Sequence, residues 1–364
     1  MSGYGIVDAM HLKKLVTPKT HCMRFLLILL LAGGLSNRLQ AQPLQPGEAS
    51  DSSCLTKAKS VLDEALGFMQ RNYYRKKEVD WAPMVAEAKQ RLQKAGNCAE
   101  TYDIVSWCFR QLNESHSFIM PPSRASIYNN GSTNNTSADW PSLVGELKGG
   151  LLADSIGYLS IPWVSTTEES ICTKVADSLQ HLIATIDQSH PKGWIIDLRK
   201  NTGGNCWPMI AGLGPLLGDG VCGFFVSDRE KIPIVYNKGA AFQGKHLRCS
   251  VSTTNYTVRE NKPIVVLTGQ RTVSSGEIVV IAFRGKENVR FLGEPTAGYT
   301  TANATYTLSD NSMLVLSVCQ EADRTGRIWS GRILPDELVS NNTHPGLADP
   351  AQMVALQKLL NPQP

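Results

Sequence analysis

Trp194-Ile195-Ile196-Asp197-Leu198-Arg199-Lys200-Asn201-Thr202-Gly203-Gly204 is the stretch on which the fold turns. An apolar run stops at an acid and opens into a polar turn that closes on two glycines. That is how a buried strand ends where backbone N–H groups must face a ligand. Alone, the segment is also explained by a tight turn that needs positive φ. Further strand-like runs lie on both sides of it: Ile156–Ile161, Gly223–Val226, Ile264–Thr268 and Met313–Val318. They alternate with helix-like runs at Glu168–Asp187, Pro208–Leu217 and Gly276–Phe283. Such alternation specifies a layered α/β core.

Upstream, residues 54–112 read as helices. Val61, Leu62, Ala65, Leu66 and Met69 fall at helical spacing. A second helix starts after Asp80, a plausible N-cap, and runs through Met84, Ala88 and Leu92; a third holds Ile104, Val105, Cys108 and Leu112. The Asn-, Ser- and Thr-rich stretch after Pro121-Pro122 reads as a loop or linker. A final helix covers Pro350–Leu360. The chain therefore divides into a leader (1–41), a helical region (42–120), a polar linker (121–145), an α/β core (146–345) and a C-terminal helix (346–364).

The leader carries Lys13, Lys14, Lys19, Arg24 and Arg38 against Asp8, then an apolar run from Phe25, and Ala41 before Gln42. This is signal-peptide grammar, and the run is too short for a permanent membrane span. The expected location is periplasmic or extracellular, with no stable membrane anchor. The whole chain has 364 residues and a formal charge of +4, all of it in the leader; residues 42–364 hold 31 basic and 31 acidic side chains. Charge therefore gives no case for nucleic acid. Eight cysteines lie beyond the leader, an even number that permits disulfides in an exported protein. Cys54 with Cys98 and Cys222 with Cys249 are candidate pairs. CxxC and HExxH spacings are absent from the sequence, so no metal site and no cofactor is expected.

Three more segments carry chemistry. Thr272-Val273-Ser274-Ser275-Gly276-Glu277 places serines where a strand turns into a helix. The helix dipole and free N–H groups stabilise negative charge there, although an ordinary N-cap reads the same way. Asn113-Glu114-Ser115-His116-Ser117-Phe118 supplies one of five histidines beyond the leader. Gly293-Glu294-Pro295-Thr296-Ala297-Gly298-Tyr299 is a strand followed by a glycine turn.

Together, in this order, these segments resemble the serine peptidase family of the C-terminal processing (tail-specific) proteases and the tricorn protease core. The resemblance runs from about Ser53 to Val339. Gly157 to Ile161 is similar to the family's opening strand, and Asp197 to Gly204 to its Asp-Leu-Arg-x-Asn-x-Gly-Gly signature. Thr272-x-Ser274-x-x-Glu277 is similar to its nucleophile segment. Gly293-Glu294-x-Thr296-x-Gly298 and Pro335-Asp336 are similar to two later landmarks. The resemblance implies a crotonase/Clp-like α/β core behind a small helical cap. It implies Ser274 as nucleophile and an oxyanion hole from the N–H groups of Gly203 or Gly204 and Ser275.

Tyr299 stands where processing peptidases carry their catalytic Lys. The tricorn-like branch uses a Ser-His pair instead, which Ser115-His116 matches. His116 is then the base and Ser115 a supporting group. Ser330 takes the place of the branch's orienting Glu, leaving Glu321, Asp323 and Asp336 as candidate orienters. His116 to Gly157 is too short to hold a PDZ domain. The expected partners are peptides or unfolded polypeptides; the alternative is a peptide- or ligand-binding protein on an inactive scaffold.

Overall fold

The computed structural model describes residues 52–131, 140–342 and 348–361. The leader lies outside them. The described residues begin with three α-helices: α1 (Ser52–Asn72), α2 (Trp81–Gln93) and α3 (Glu100–Gln111). Val61, Leu62, Ala65, Leu66 and Met69 of α1 are all buried, as their spacing requires. A disulfide joins Cys54 to Cys98 across the cap, with Cα atoms 6.0 Å apart. Next come β1 (Phe118–Met120), α4 (Pro122–Gly131) and α5 (Trp140–Leu143). The stretch read as linker therefore contains helix; Pro122 suits a first turn, where its missing N–H costs nothing.

The core continues with β2 (Lys148–Leu152), β3 (Ile156–Ser160), α6 (Glu169–Asp187), β4 (Gly193–Asp197) and α7 (Cys206–Leu217). A meander succeeds it: β5 (Gly220–Val226), β6 (Lys231–Asn237), β7 (Ala240–Gln243) and β8 (His246–Ser250). Then come β9 (Ile264–Thr268), α8 (Ser275–Phe283), β10 (Val289–Gly293), β11 (Thr301–Thr307), β12 (Met313–Asp323), β13 (Ile328–Trp329), β14 (Glu337–Leu338) and α9 (Pro350–Leu360).

These strands form two sheets. One has the order β14-β10-β9-β4-β3-β2, parallel except for β2. Every residue of β4 and β9 is buried, the mark of a parallel sheet covered on both faces. Ile195, Val265 and Leu267 face α9, while Trp194, Ile196, Ile264 and Val266 join the main core. The other sheet runs β1-β12-β5-β6-β7-β8, with β11 and β13 also on β12. Cys222 and Cys249 are free and buried, so this candidate pair is not formed. They lie on β5 and β8, separated in the sheet by β6 and β7. Three inter-strand steps span on the order of 14 Å, beyond the reach of a disulfide.

Candidate active site

In the parallel sheet Asp197 lies beside Leu267, and Thr268 beside Gly293. The turns after β4, β9 and β10 thus leave from neighbouring C-terminal strand ends, where open α/β sheets place their ligands. Three motifs distant in sequence meet there.

Asp197 anchors the first turn. Its carboxylate accepts the Tyr158 hydroxyl (2.9 Å) and pairs with Arg199 (2.6 Å), which also reaches Asp349 at the start of α9. Asn201, fully buried, joins the first turn to the second. Its carbonyl accepts the Val273 N–H (3.0 Å) and its side-chain Oδ1 accepts the Gly203 N–H (3.0 Å). Thr272 adds a hydroxyl bond to the Leu198 carbonyl (2.9 Å). Gly203 and Gly204 have φ of 99° and 100°. A Cβ on Gly203 would meet the Val273 carbonyl oxygen at 2.8 Å, so glycine is required there. Of the three candidate oxyanion donors, the Gly203 N–H is committed to Asn201, whereas those of Gly204 and Ser275 have no hydrogen bond among the described residues.

Ser274 has φ 54° and ψ −114°, a conformation that costs a non-glycine residue on the order of 1–3 kcal/mol. Glu277 holds it there: its carboxylate accepts the N–H groups of Ser274, Gly298 and Tyr299 (each 2.8 Å) and the Thr296 hydroxyl (2.5 Å). One carboxylate therefore pins the Gly293–Tyr299 turn to the serine turn. Burial raises the Glu277 pKa above the ordinary carboxylate value, and the four donors offset that only in part.

Ser274 Oγ lies 3.2 Å from His116 Nε2. His116 is 3% exposed and Ser274 2%. Burial drives the His116 pKa down to about 4, against the Thr301 contact, which raises it. The imidazole is therefore neutral at physiological pH. The Tyr299 ring lies 5.1 Å from the imidazole, centroid to centroid, so the residue at the lysine position packs on the base.

Behind His116 the structure differs from expectation. Nδ1 contacts Thr301 Oγ1 (2.9 Å), which contacts Ser317 Oγ (3.0 Å). Ser317 reaches Asn303 Oδ1 (2.9 Å) and Glu114 Oε1 (3.3 Å). None of the three expected orienters meets the ring. Asp323 closes the turn to β13 through Thr325 and the Trp329 indole. Asp336 is taken by Arg284 and the Phe291 N–H. Glu321 is buried with neither carboxylate oxygen hydrogen-bonded, and burial, reinforced by nearby Glu277, raises its pKa well above the carboxylate range. Ser115 and Ser330 are exposed; the serine that folds inward is Ser117, whose hydroxyl accepts the Ser317 N–H (2.9 Å). No cluster of metal-ligating side chains occurs among the described residues.

The unexpected supports of His116 do carry a sequence signal. Ser317 is a hydroxyl inside the apolar run Met313–Val318, and Asn303 is a fully buried polar residue in a strand where Thr301 is partly buried. A buried polar side chain in such a strand needs a partner.

A layered α/β core with a serine poised against a buried histidine defines a serine peptidase type of site. The Peptidase family S41 model matches residues 155–339, half of the chain, and the chain belongs to that family of serine proteases. It is 28% identical over 268 residues to the nisin-resistance protein of Lactococcus lactis subsp. lactis, covering 72% of this chain and 77% of that one. Among solved structures, a lipoprotein from Streptococcus agalactiae superposes with a TM-score of 0.63 at 22% identity, covering 88% of this chain and 99% of the other. The photosystem II D1 C-terminal processing protease gives 0.53 at 15% identity, covering 80% and 94%. At these identities the structural likenesses establish the fold alone.

Proposed function

We propose that this protein is an exported serine endopeptidase that cleaves peptides or unfolded polypeptide through an acyl-enzyme on Ser274. The observation that carries the reading is the 3.2 Å approach of Ser274 Oγ to the neutral His116 Nε2. Ser274 Oγ attacks the scissile carbonyl carbon while its proton passes to His116 Nε2. The carbonyl oxygen gains the negative charge and is held by the N–H groups of Gly204 and Ser275. Collapse expels the amine, which takes the proton from His116. Water then attacks the ester and gives its proton to His116; collapse breaks the bond to Ser274 Oγ, which takes that proton back from His116, and the carboxylic acid product leaves. The helical region, core and C-terminal helix form one folded unit in this reading, with the helical region delivering His116.

Export agrees with the leader pattern and with the Cys54–Cys98 disulfide, a bond at home in oxidising compartments. No helix among the described residues is long and apolar enough to cross a membrane. Labelling of the mature protein with a fluorophosphonate probe tests the mechanism. The expected result is labelling that disappears in Ser274→Ala and in His116→Ala. Absence of Ser274-dependent labelling overturns it. The second reading, capture of a peptide without cleavage, rests on the absence of a carboxylate at His116 Nδ1. A relative named for nisin resistance fits either, since capture and cleavage both give resistance. Turnover of a peptide pool that is lost in Ser274→Ala rejects it.

A further inference from the structure

The hydroxyls behind His116 allow a count of protons. Each hydroxyl has one proton to donate. Asn303 Nδ2 donates to the His116 carbonyl (2.9 Å), which turns Asn303 Oδ1, an acceptor, toward Ser317. Glu114 Oε1 already receives the N–H groups of His116 (2.7 Å) and Ser117 (3.2 Å), so it too meets Ser317 as an acceptor. Ser317 therefore spends its one proton on Asn303 or Glu114. Its contact with Thr301 is then satisfied only if Thr301 donates. Thr301, having donated, can only accept from the ring.

We infer that Thr301 and Ser317 are positioning residues that lock His116 as the Nδ1–H tautomer, with Asn303 and Glu114 closing the chain. This rests on the proposed function only in giving the tautomer its use. An Nδ1–H imidazole turns the lone pair of Nε2 toward Ser274 Oγ, where a base needs it. In the opposite tautomer Nε2 carries the proton and cannot accept the serine's. Two of the contacts Nδ1–Thr301, Thr301–Ser317, Ser317–Asn303 and Ser317–Glu114 would then have no proton between them, against one in the Nδ1–H tautomer, where only Asn303 or Glu114 goes without the Ser317 proton. Two hydroxyls ending on an amide and a carboxylate thus do what a direct carboxylate does in a serine-histidine-acid triad. The site also explains the irregular pairing between Ala302 and Asn303: the shift in register puts Thr301, Asn303 and Ser317 together.

The imidazole nitrogen shifts of the ¹⁵N-histidine-labelled protein at neutral pH report the tautomer directly, whether or not any peptide is cut. The expected result is a protonated Nδ1 and a bare Nε2 on His116. Thr301→Val, which keeps the shape and removes the hydroxyl, should mix the tautomers and lower kcat by about 10- to 1000-fold with KM nearly unchanged. Thr301→Ser should restore both. Ser317→Ala, a smaller change, should move both readouts the same way and serves if the valine variant fails to fold. A protonated Nε2 in the parent protein overturns the inference even if Ser274 labels normally. So does a Thr301→Val or Ser317→Ala variant with parental shifts and parental kcat. Loss of Ser274 labelling in a protein whose His116 is Nδ1–H would instead sink the peptidase reading and leave the tautomer assignment standing.

Discussion

Ser274 and His116 touch, yet the surroundings that hold them differ in kind. Around Ser274 the holding groups are a carboxylate and backbone amides: Glu277 takes the N–H groups of Ser274, Gly298 and Tyr299 and a threonine hydroxyl. Around His116 they are two hydroxyls and an amide, and the Glu114 carboxylate is reached only through Ser317. The serine's backbone must be forced into a strained conformation, and a charged acceptor with four donors can do that. The histidine must remain uncharged in a buried site while its tautomer is controlled, and neutral hydroxyls do that without holding a proton on Nε2. A carboxylate directly on Nδ1 would favour the charged ring.

The first prediction breaks the serine side. Glu277→Ala leaves three backbone N–H groups and one hydroxyl without their acceptor in a buried place. The cost of several unmet donors at once is about 3–5 kcal/mol of stability. Urea denaturation should show that loss, and the Gly293–Tyr299 turn should come free of the serine turn, removing fluorophosphonate labelling with it. A variant that keeps parental stability would mean that Glu277 does not bind the two turns together.

The contrast also accounts for what was legible in the sequence. Each group on the serine side lies in a short local motif whose spacing is set by turn geometry: glycines where φ is positive, Asn201 and Thr272 where one turn bonds to the next, and Glu277 one helical turn after Ser274. Local constraints leave local patterns. The histidine's supports come instead from β11 and β12, and they meet through an irregular register that no periodicity announces. Chain order near a family landmark pointed to Glu321, Asp323 and Asp336 for the acid. Glu114 stands two residues before His116 and carries no such signal, because the path between them runs through Ser317. The strands and helices of the core were readable because buried parallel strands are apolar throughout, as in Trp194–Ile196 and Ile264–Leu267. The helix at Pro122–Gly131 was not, since its polar composition carries no helical stripe.

Glu321 offers a smaller test of the same contrast, because it is a buried carboxyl with no donors, close enough to Glu277 to feel its charge. Its folded pKa lies well above that of the unfolded chain. The unfolded state therefore gives up its proton first, and stability falls as pH rises through and beyond the ordinary carboxylate range. Glu321→Gln removes that titration and keeps the shape. It should stabilise the protein at pH 7, with the gap closing as the pH is lowered through the ordinary carboxylate range. Denaturation of parent and variant at several pH values measures the difference. A Glu321→Gln variant less stable than the parent at pH 7 would show that Glu321 is ionised and paired, making it a second Glu277.

The smallest expected effect is the sharpest statement about the histidine side. For a base, the protonated form is inactive, so kcat/KM follows the neutral fraction of His116 in the free enzyme. Burial brings its pKa to about 4 against the Thr301 contact, which raises it, and no carboxylate lies directly on the ring. Between pH 7 and pH 5 the neutral fraction then falls by only about a tenth, whereas a histidine of ordinary pKa would lose about 25-fold. Rates on an uncharged peptide substrate, measured at low substrate concentration across that range, decide between the two. A nearly flat profile fits a ring held by hydroxyls in a dry site. A drop of about 25-fold would mean that the ring is solvated or faces a carboxylate when the enzyme works, and the contrast between the two halves of the site would fail on the base.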